Sequence, residues 1–134
     1  MVDALRRAHR MLAADGVVVD LHPTAAESAI EVGAEETGYV EAGDAIERHA
    51  AADTALAAVL ESGLFVVDQV VAFTFYTYGD TIDELREYIE ENWNDARLDD
   101  ETVARTRDAL RRTPGARSRT RERVVVTTLR PAGV

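Results

Sequence analysis

A histidine and an aspartate lie one helical turn apart in the segment 44–62. They are His49 and Asp53, and the apolar residues of this segment share their stripe. A carboxylate can orient a neighbouring imidazole as a general base. Two structural alternatives stay open and are favoured: a buried hydrogen-bonded pair that fixes the helix, or a solvated pair on a helix whose alanine side faces the core. A metal site needs at least a third ligand, so none is predicted here.

Helices and strands are predicted from hydrophobic periodicity and from capping residues. Asp15-Gly16 ends the first helix, because glycine takes the left-handed C-cap conformation without steric cost. The β-branched run 17–21 is typical of a strand buried on both faces. Thr81 and Glu84 form a capping box, and Asp44 with Glu47 forms a weaker one. The predicted helices are 4–14, 44–62, 81–93 and 99–112, and the main strands are 17–21, 64–78 and 124–129.

Acidic residues crowd a predicted hairpin, formed by residues 29–32 and 37–41 and laid over the main body. A carboxylate cluster can bind a cation, but an acidic surface hairpin is the favoured interpretation. The four carboxylates are Glu31, Glu35, Glu36 and Glu41.

Arginines occupy alternate positions just before the last strand, so in an extended chain they share one face. They suit a phosphate or carboxylate ligand. The favoured alternative is a solvated start of the strand that balances acids such as Glu122 and Asp108. The four residues are Arg117, Arg119, Arg121 and Arg123.

Composition places the chain among globular proteins with one domain, residues 1–134. The hydrophobic fraction is 46%, and there is no cysteine for a disulfide or a thiolate site. The net charge is −10 and every basic residue is arginine, which disfavours a nucleic-acid partner. No apolar run approaches a membrane span, so a cytoplasmic location is expected. The acidity fits either an ordinary solvated surface or a high-salt cytoplasm.

The first helix and strand resemble the late helix and fifth strand of class I, Rossmann-like S-adenosylmethionine-dependent methyltransferases. The family pattern LxxxxRxLxxGGxxxxxxxP is matched by Leu5, His9-Arg10, Leu12, Asp15-Gly16 and Pro23. Ser62-Gly63-Leu64-Phe65 is similar to the family's GF before its sixth strand. The glycine-rich loop, the acidic end of the second strand and the fourth-strand motif are absent. The chain therefore resembles the C-terminal half of such a domain.

The resemblance implies an α/β fold with three main strands, in which the last is antiparallel and central, and with flanking helices. Ligands in open α/β sheets collect at the carboxyl ends of strands. His22 and Thr24 follow the fifth strand, and Tyr76 and Tyr78 end the sixth, so a shared rim is expected. For the tyrosines, ordinary half-buried sheet positions are favoured. The substrate-pocket candidates are His22, Thr24, His49, Asp53, Tyr76 and Tyr78. Tyr88, Trp93 and Asn94 are candidates for a lid, although a core role is favoured for Trp93.

For function, the resemblance implies a methyltransferase-like protein that is inactive alone and contributes an acceptor-side or interaction surface. S-adenosylmethionine is expected only with a complementing half, and this chain supplies no cofactor-binding or metal-binding residues. A strand left as an open edge invites pairing, so a homodimer or a complementing N-terminal-half chain is expected. The alternatives are a non-enzymatic binding, regulatory or oligomerisation module, and a truncated product without function.

Overall fold

The computed structural model describes residues 1–133, which form α-helices and one antiparallel sheet. The helices are α1 Val2–Met11, α2 Ala45–Glu61, α3 Ile82–Asn92 and α4 Asp100–Arg112. The strands are β1 Val18–Pro23, β2 Ala29–Val32, β3 Glu35–Tyr39, β4 Phe65–Gly79 and β5 Ser118–Pro131.

The long strand β5 lies at the centre of the sheet. Its whole length pairs with β4 on one side. On the other side β1 pairs with the second half of β5 and β2 pairs with its first residues. Strand β3 continues the sheet beyond β2. The expected α/β class and the central, antiparallel position of the last strand are therefore confirmed. The hairpin is also confirmed, but it extends the sheet instead of lying over it, because β2 pairs with the first residues of β5.

Two apolar cores lie on opposite faces of the sheet. At one end, α1 and α2 pack on β4 and β5 through Leu5, Val59, Phe65 and Leu129. At the other end, α3 and α4 cover β2 and the start of β5, with Ile30 among buried residues of both helices. Alternate residues of a strand point to opposite faces, so each half of β5 is covered on one face only.

The β-branched composition of the first strand predicted burial on both faces, and this prediction is wrong. Val18 packs in the core under α1 and α2. Val19 and Leu21 point the other way and are 59% and 60% exposed. Among residues 1–133, no helix covers this side of β1, which explains the difference.

The helix caps predicted from the sequence are present at some positions only. The capping box of Thr81 and Glu84 is present. Asp44 makes no capping bond, because its carboxylate pairs with Arg48 one turn further on. The first helix ends at Met11, and Asp15-Gly16 forms a separate turn instead of the predicted left-handed C-cap.

The two long strands, β4 and β5, differ from their predicted bounds. The irregularity predicted at Asp68 is a bulge between Val67 and Gln69. The last strand begins at Ser118, six residues before its predicted start, because its arginine-rich half pairs with both β2 and β4. Arg119, Arg121 and Arg123 therefore lie within the sheet, and only Arg117 precedes it.

Candidate functional site

A gap interrupts the sheet where β1 ends and β2 begins. On this side of β5, β1 ends opposite Val124 and β2 begins opposite Arg121. Glu122 and Arg123 therefore face the gap without a strand partner among the described residues. One backbone bond crosses it: the Thr24 amide donates to the Arg123 carbonyl at 2.8 Å.

A small cavity of about 50 Å³ fills this gap, and we call it the gap cavity. The loop after β1, the first turn of α2, the end of α3 and β5 all contribute to its wall. Its apolar lining includes Pro23, Ile46 and Trp93, and its polar lining includes Thr24, His49 and Glu122.

Glu122 is the acidic group of the gap cavity. The Ser28 hydroxyl donates to its Oε1 over 3.5 Å, at the outer limit for a hydrogen bond. Burial is the main cause that raises the pKa of the Glu122 carboxyl, and the Ser28 bond opposes it. A partly buried carboxylate with so little compensation favours either a proton or a cationic ligand.

The wall of the gap cavity is held by the loops before α2 and after α3. Glu41 and Arg97 exchange two backbone hydrogen bonds, and Nε of Arg97 donates to Oε2 of Glu41 at 2.7 Å. Gly43 has a φ of +55°, and a Cβ there would lie 2.9 Å from that of Asp95. Only glycine fits this close approach, so the two loops are fixed against each other.

A histidine bridges two carboxylates beside the gap. Nδ1 of His22 lies 2.8 Å from Oδ2 of Asp20, and Nε2 lies 2.7 Å from Oδ1 of Asp53. Burial of the ring opposes its protonation, but the hydrogen bonds and charges of the two aspartates outweigh burial, and the pKa of His22 is raised. The protonated ring donates to both carboxylates, whereas a neutral ring can donate to only one.

The candidates His49 and Asp53 lie on the same helix but contact different parts of the structure. Asp53 bonds to His22, as described above, and His49 lines the gap cavity. In the described part of the chain no hydrogen bond joins the two residues. Neither the arrangement of a base with its orienter nor the favoured hydrogen-bonded pair of His49 and Asp53 is therefore formed, because the Asp53 carboxylate bonds to His22 on β1.

The tyrosine candidates lie apart from the histidines. His22 pairs opposite Val125, whereas Tyr76 lies opposite Arg121, four residues along β5 and roughly 13 Å away at 3.3 Å per residue. The guanidinium of Arg119 lies 4.1 Å from the centroid of the Tyr76 ring and 5.9 Å from that of Tyr78. The sheet therefore places the six candidates in two separate regions.

The acidic hairpin and the arginine stripe neutralise each other. The carboxylate of Glu31 is buried and pairs with Arg119 at 2.6 Å and with Arg121 at 3.3 Å. The other hairpin carboxylates also pair with arginines, so the acidic set is not left for a separate ligand. Of the four alternating arginines, Arg123 alone makes no ion pair among the described residues. Within residues 1–133 no group of three or more potential ligand side chains is arranged for a metal ion. The remaining pairs are Glu35–Arg112, Glu36–Arg121, Glu41–Arg97 and Asp80–Arg117.

Sequence reasoning overlooked three site residues. Glu122 and Ser28 meet only because the sheet has a gap, and no local pattern signals this. Asp20 did carry a signal, since it lies two residues before His22 and alternate residues of a strand share a face. Trp93, expected in the core or in a lid, lies at the edge of one core and lines the gap cavity.

Over residues 1–133, none of the helices has both the length and the apolar character needed to cross a membrane. Comparison of the chain with models of protein families, with curated proteins and with solved structures found no match.

Proposed function

We propose that this chain forms the acceptor-side half of a methyltransferase-like, Rossmann-like domain. In this proposal it takes up S-adenosylmethionine only with complementing strands and helices, carried on another chain or elsewhere in a longer polypeptide. The strand order supports the proposal: β5 runs antiparallel between β1 and β4, as the resemblance implies for the seventh strand between the fifth and sixth.

A broad apolar surface carries the proposal. It lies on the face of the sheet opposite α1 and α2, and we call it the open face. Its side chains are 40–60% exposed, and in residues 1–133 no helix packs on them. An antiparallel sheet can leave one face to water, but that face then normally carries polar residues, so an exposed apolar face of this size predicts a missing layer. The open face consists of Val19, Leu21, Val71, Phe73 and Phe75.

The surface area of the chain agrees with a missing partner. A compact protein of this mass exposes roughly 6,900 Å². The chain exposes 8018 Å². The excess is similar to the roughly 800 Å² that each partner buries in a standard interface. The outer edge of β1 is also without a strand partner among the described residues, so a further strand can add there.

Calorimetric titration with S-adenosylhomocysteine tests the proposed function. We expect no binding by the chain alone and micromolar binding after co-refolding with the N-terminal half of a class I methyltransferase. Leu21→Lys should abolish binding, because it places a charge on the open face. Val67→Lys is the matched control, since Val67 is also exposed but points to the opposite face. Binding by the chain alone would contradict the proposal.

A second candidate function is a non-enzymatic oligomerisation module, and the free edge of β4 favours it. This strand has 15 residues, and its outer edge has no partner among residues 1–133. It carries no charge from Gln69 to Gly79, and natural edge strands of this length are normally protected by charges or proline. If this module is correct, light scattering should find a stable dimer that Val70→Lys dissociates, and no cofactor should bind under any condition.

A further inference from the structure

The gap cavity combines a largely apolar wall with one acidic residue, Glu122, and one basic residue, Arg123, which form no ion pair with each other. The cavity measures about 50 Å³, which leaves room for roughly three or four water-sized groups. Glu122 has no ion-pair partner among the described residues within 4.0 Å, and Ser28 is 3.5 Å from it. Trp93 provides the aromatic part of the wall. These are the features of a site for a small organic ligand and not for a macromolecule.

We propose that the gap cavity binds a small protonated alkylamine, with its ammonium group on the carboxylate of Glu122 and its alkyl group against Trp93 and Ile46. The ammonium donates the hydrogen bonds that the carboxylate lacks, and an indole ring attracts a cation that lies close to its face. The binding of this amine does not depend on the proposed function.

Other classes of ligand fit the gap cavity less well. An anion would meet the Glu122 carboxylate. Arg123 also lines the cavity, but its side chain is exposed and alternates with that of Glu122 to the other face of the strand. A neutral ligand would leave a partly buried carboxylate without a counter-charge. A metal ion would find only Glu122 and His49, and three ligands are the minimum.

Fluorescence of Trp93 reports binding directly, because it is the only tryptophan in the chain. We expect ethylammonium chloride to change this fluorescence saturably, with a dissociation constant in the millimolar range. Ethanol has the same carbon skeleton without the charge, and potassium chloride matches the ionic strength. Both should leave the fluorescence without a saturable change. The experiment needs no methyl donor, so it separates this site from the proposed function.

The variant Glu122→Gln keeps the shape of the side chain and removes its charge. We expect it to weaken ethylammonium binding by about tenfold or more. Glu27→Gln is the matched control, since Glu27 is an exposed acid on the loop between β1 and β2 and does not line the cavity. This variant should bind as the wild type does. Ala26→Leu narrows the cavity from an exposed position and should also weaken binding. Equal binding by Glu122→Gln, saturation by ethanol, or no saturable change in the wild type would overturn the proposal.

Discussion

The bridge from Asp20 through His22 to Asp53 shows how local charge sets the protonation of a side chain. Both nitrogens of the ring face a carboxylate within 2.8 Å. The pKa of His22 is raised above the ordinary value of 6.5 although burial of the ring opposes the shift. A folded-state pKa above the unfolded one means that the protonated ring stabilises the folded chain. The stabilisation is complete below pH 6.5 and is lost as pH rises through the raised pKa.

Replacing His22 should therefore remove a pH-dependent part of the stability. We expect His22→Gln to lower the free energy of unfolding by about 1 kcal/mol near pH 6 and by much less near pH 8.5. The expected loss is small because the Asp53 side chain is exposed, and solvent screens its attraction to the imidazolium. Urea titrations of both proteins at the two pH values provide the measurement. Parallel pH profiles for the wild type and His22→Gln would count against the bridge.

A buried pair of threonines links β3 to α4. The hydroxyls of Thr37 and Thr106 lie 2.7 Å apart, and each is also within hydrogen-bond distance of a backbone carbonyl. Since each hydroxyl has one proton, one donates to its carbonyl and the other donates either to its own carbonyl or to the neighbouring hydroxyl. Thr106→Val leaves the Thr37 hydroxyl with fewer partners and should cost about 1–3 kcal/mol of unfolding free energy. The double variant with Thr37→Val should cost less than the sum of the two single variants, because both polar groups are then removed. Strictly additive losses in thermal or urea unfolding would show that the two hydroxyls do not interact.

At the scale of elements, hydrophobic periodicity predicted the helices and their buried stripes, which depend on local sequence. The stripe of Ile82, Leu85 and Ile89 is buried as expected, and all four helices are present. The length of β5 was missed because its first residues carry arginines, and only pairing with β2 and β4 makes them a strand. Burial of β1 was overestimated because the β-branched run contains no information on which helices cover it.

The close approach of β3 to α4 depends on a glycine. A Cβ at Gly38 would lie 2.4 Å from Oγ1 and 2.7 Å from Cγ2 of Thr102. Gly38→Ala should therefore separate the two elements and cost about 1–3 kcal/mol, measured as unfolding free energy. Gly33→Ala is a useful comparison, since a Cβ there has open space but a φ of +59°, and it should cost about 1–2 kcal/mol from backbone strain alone. An unaffected Gly38→Ala protein would mean that β3 and α4 are packed less closely than described.

The candidate site was predictable only in part, because some of its contacts join residues that are distant in the sequence. His22, Thr24 and His49 were selected from their positions at strand ends and on a helical stripe, and they do lie in or beside the gap region. The partners that decide their chemistry come from distant parts of the chain: Asp53 reaches His22 from α2, and Glu122 reaches Ser28 from β5. Such contacts depend on register, which a single sequence does not encode locally.

At the scale of the whole molecule, the two cores lie at opposite ends and on opposite faces of one sheet. Each end is stabilised by its own helix pair, and the open face and the outer edges of β1 and β4 lie between and beside them. A chain with a net charge of −10 repels other copies at long range, so association requires a specific apolar surface. The open face is such a surface, and both candidate functions require a partner for the sheet.

Binding of the dye 1-anilinonaphthalene-8-sulfonate to the dilute, folded chain tests most directly whether the open face is available to a partner. We predict strong dye fluorescence for the wild type and a large loss in the double variant Leu21→Lys, Val71→Lys, with unchanged far-ultraviolet circular dichroism. Met11→Lys is the control, because Met11 is 84% exposed on α1 and lies outside the open face. Its dye binding should equal that of the wild type. Equal dye fluorescence from the double variant and the wild type would contradict the account, because the open face would then not be the exposed apolar surface of this protein.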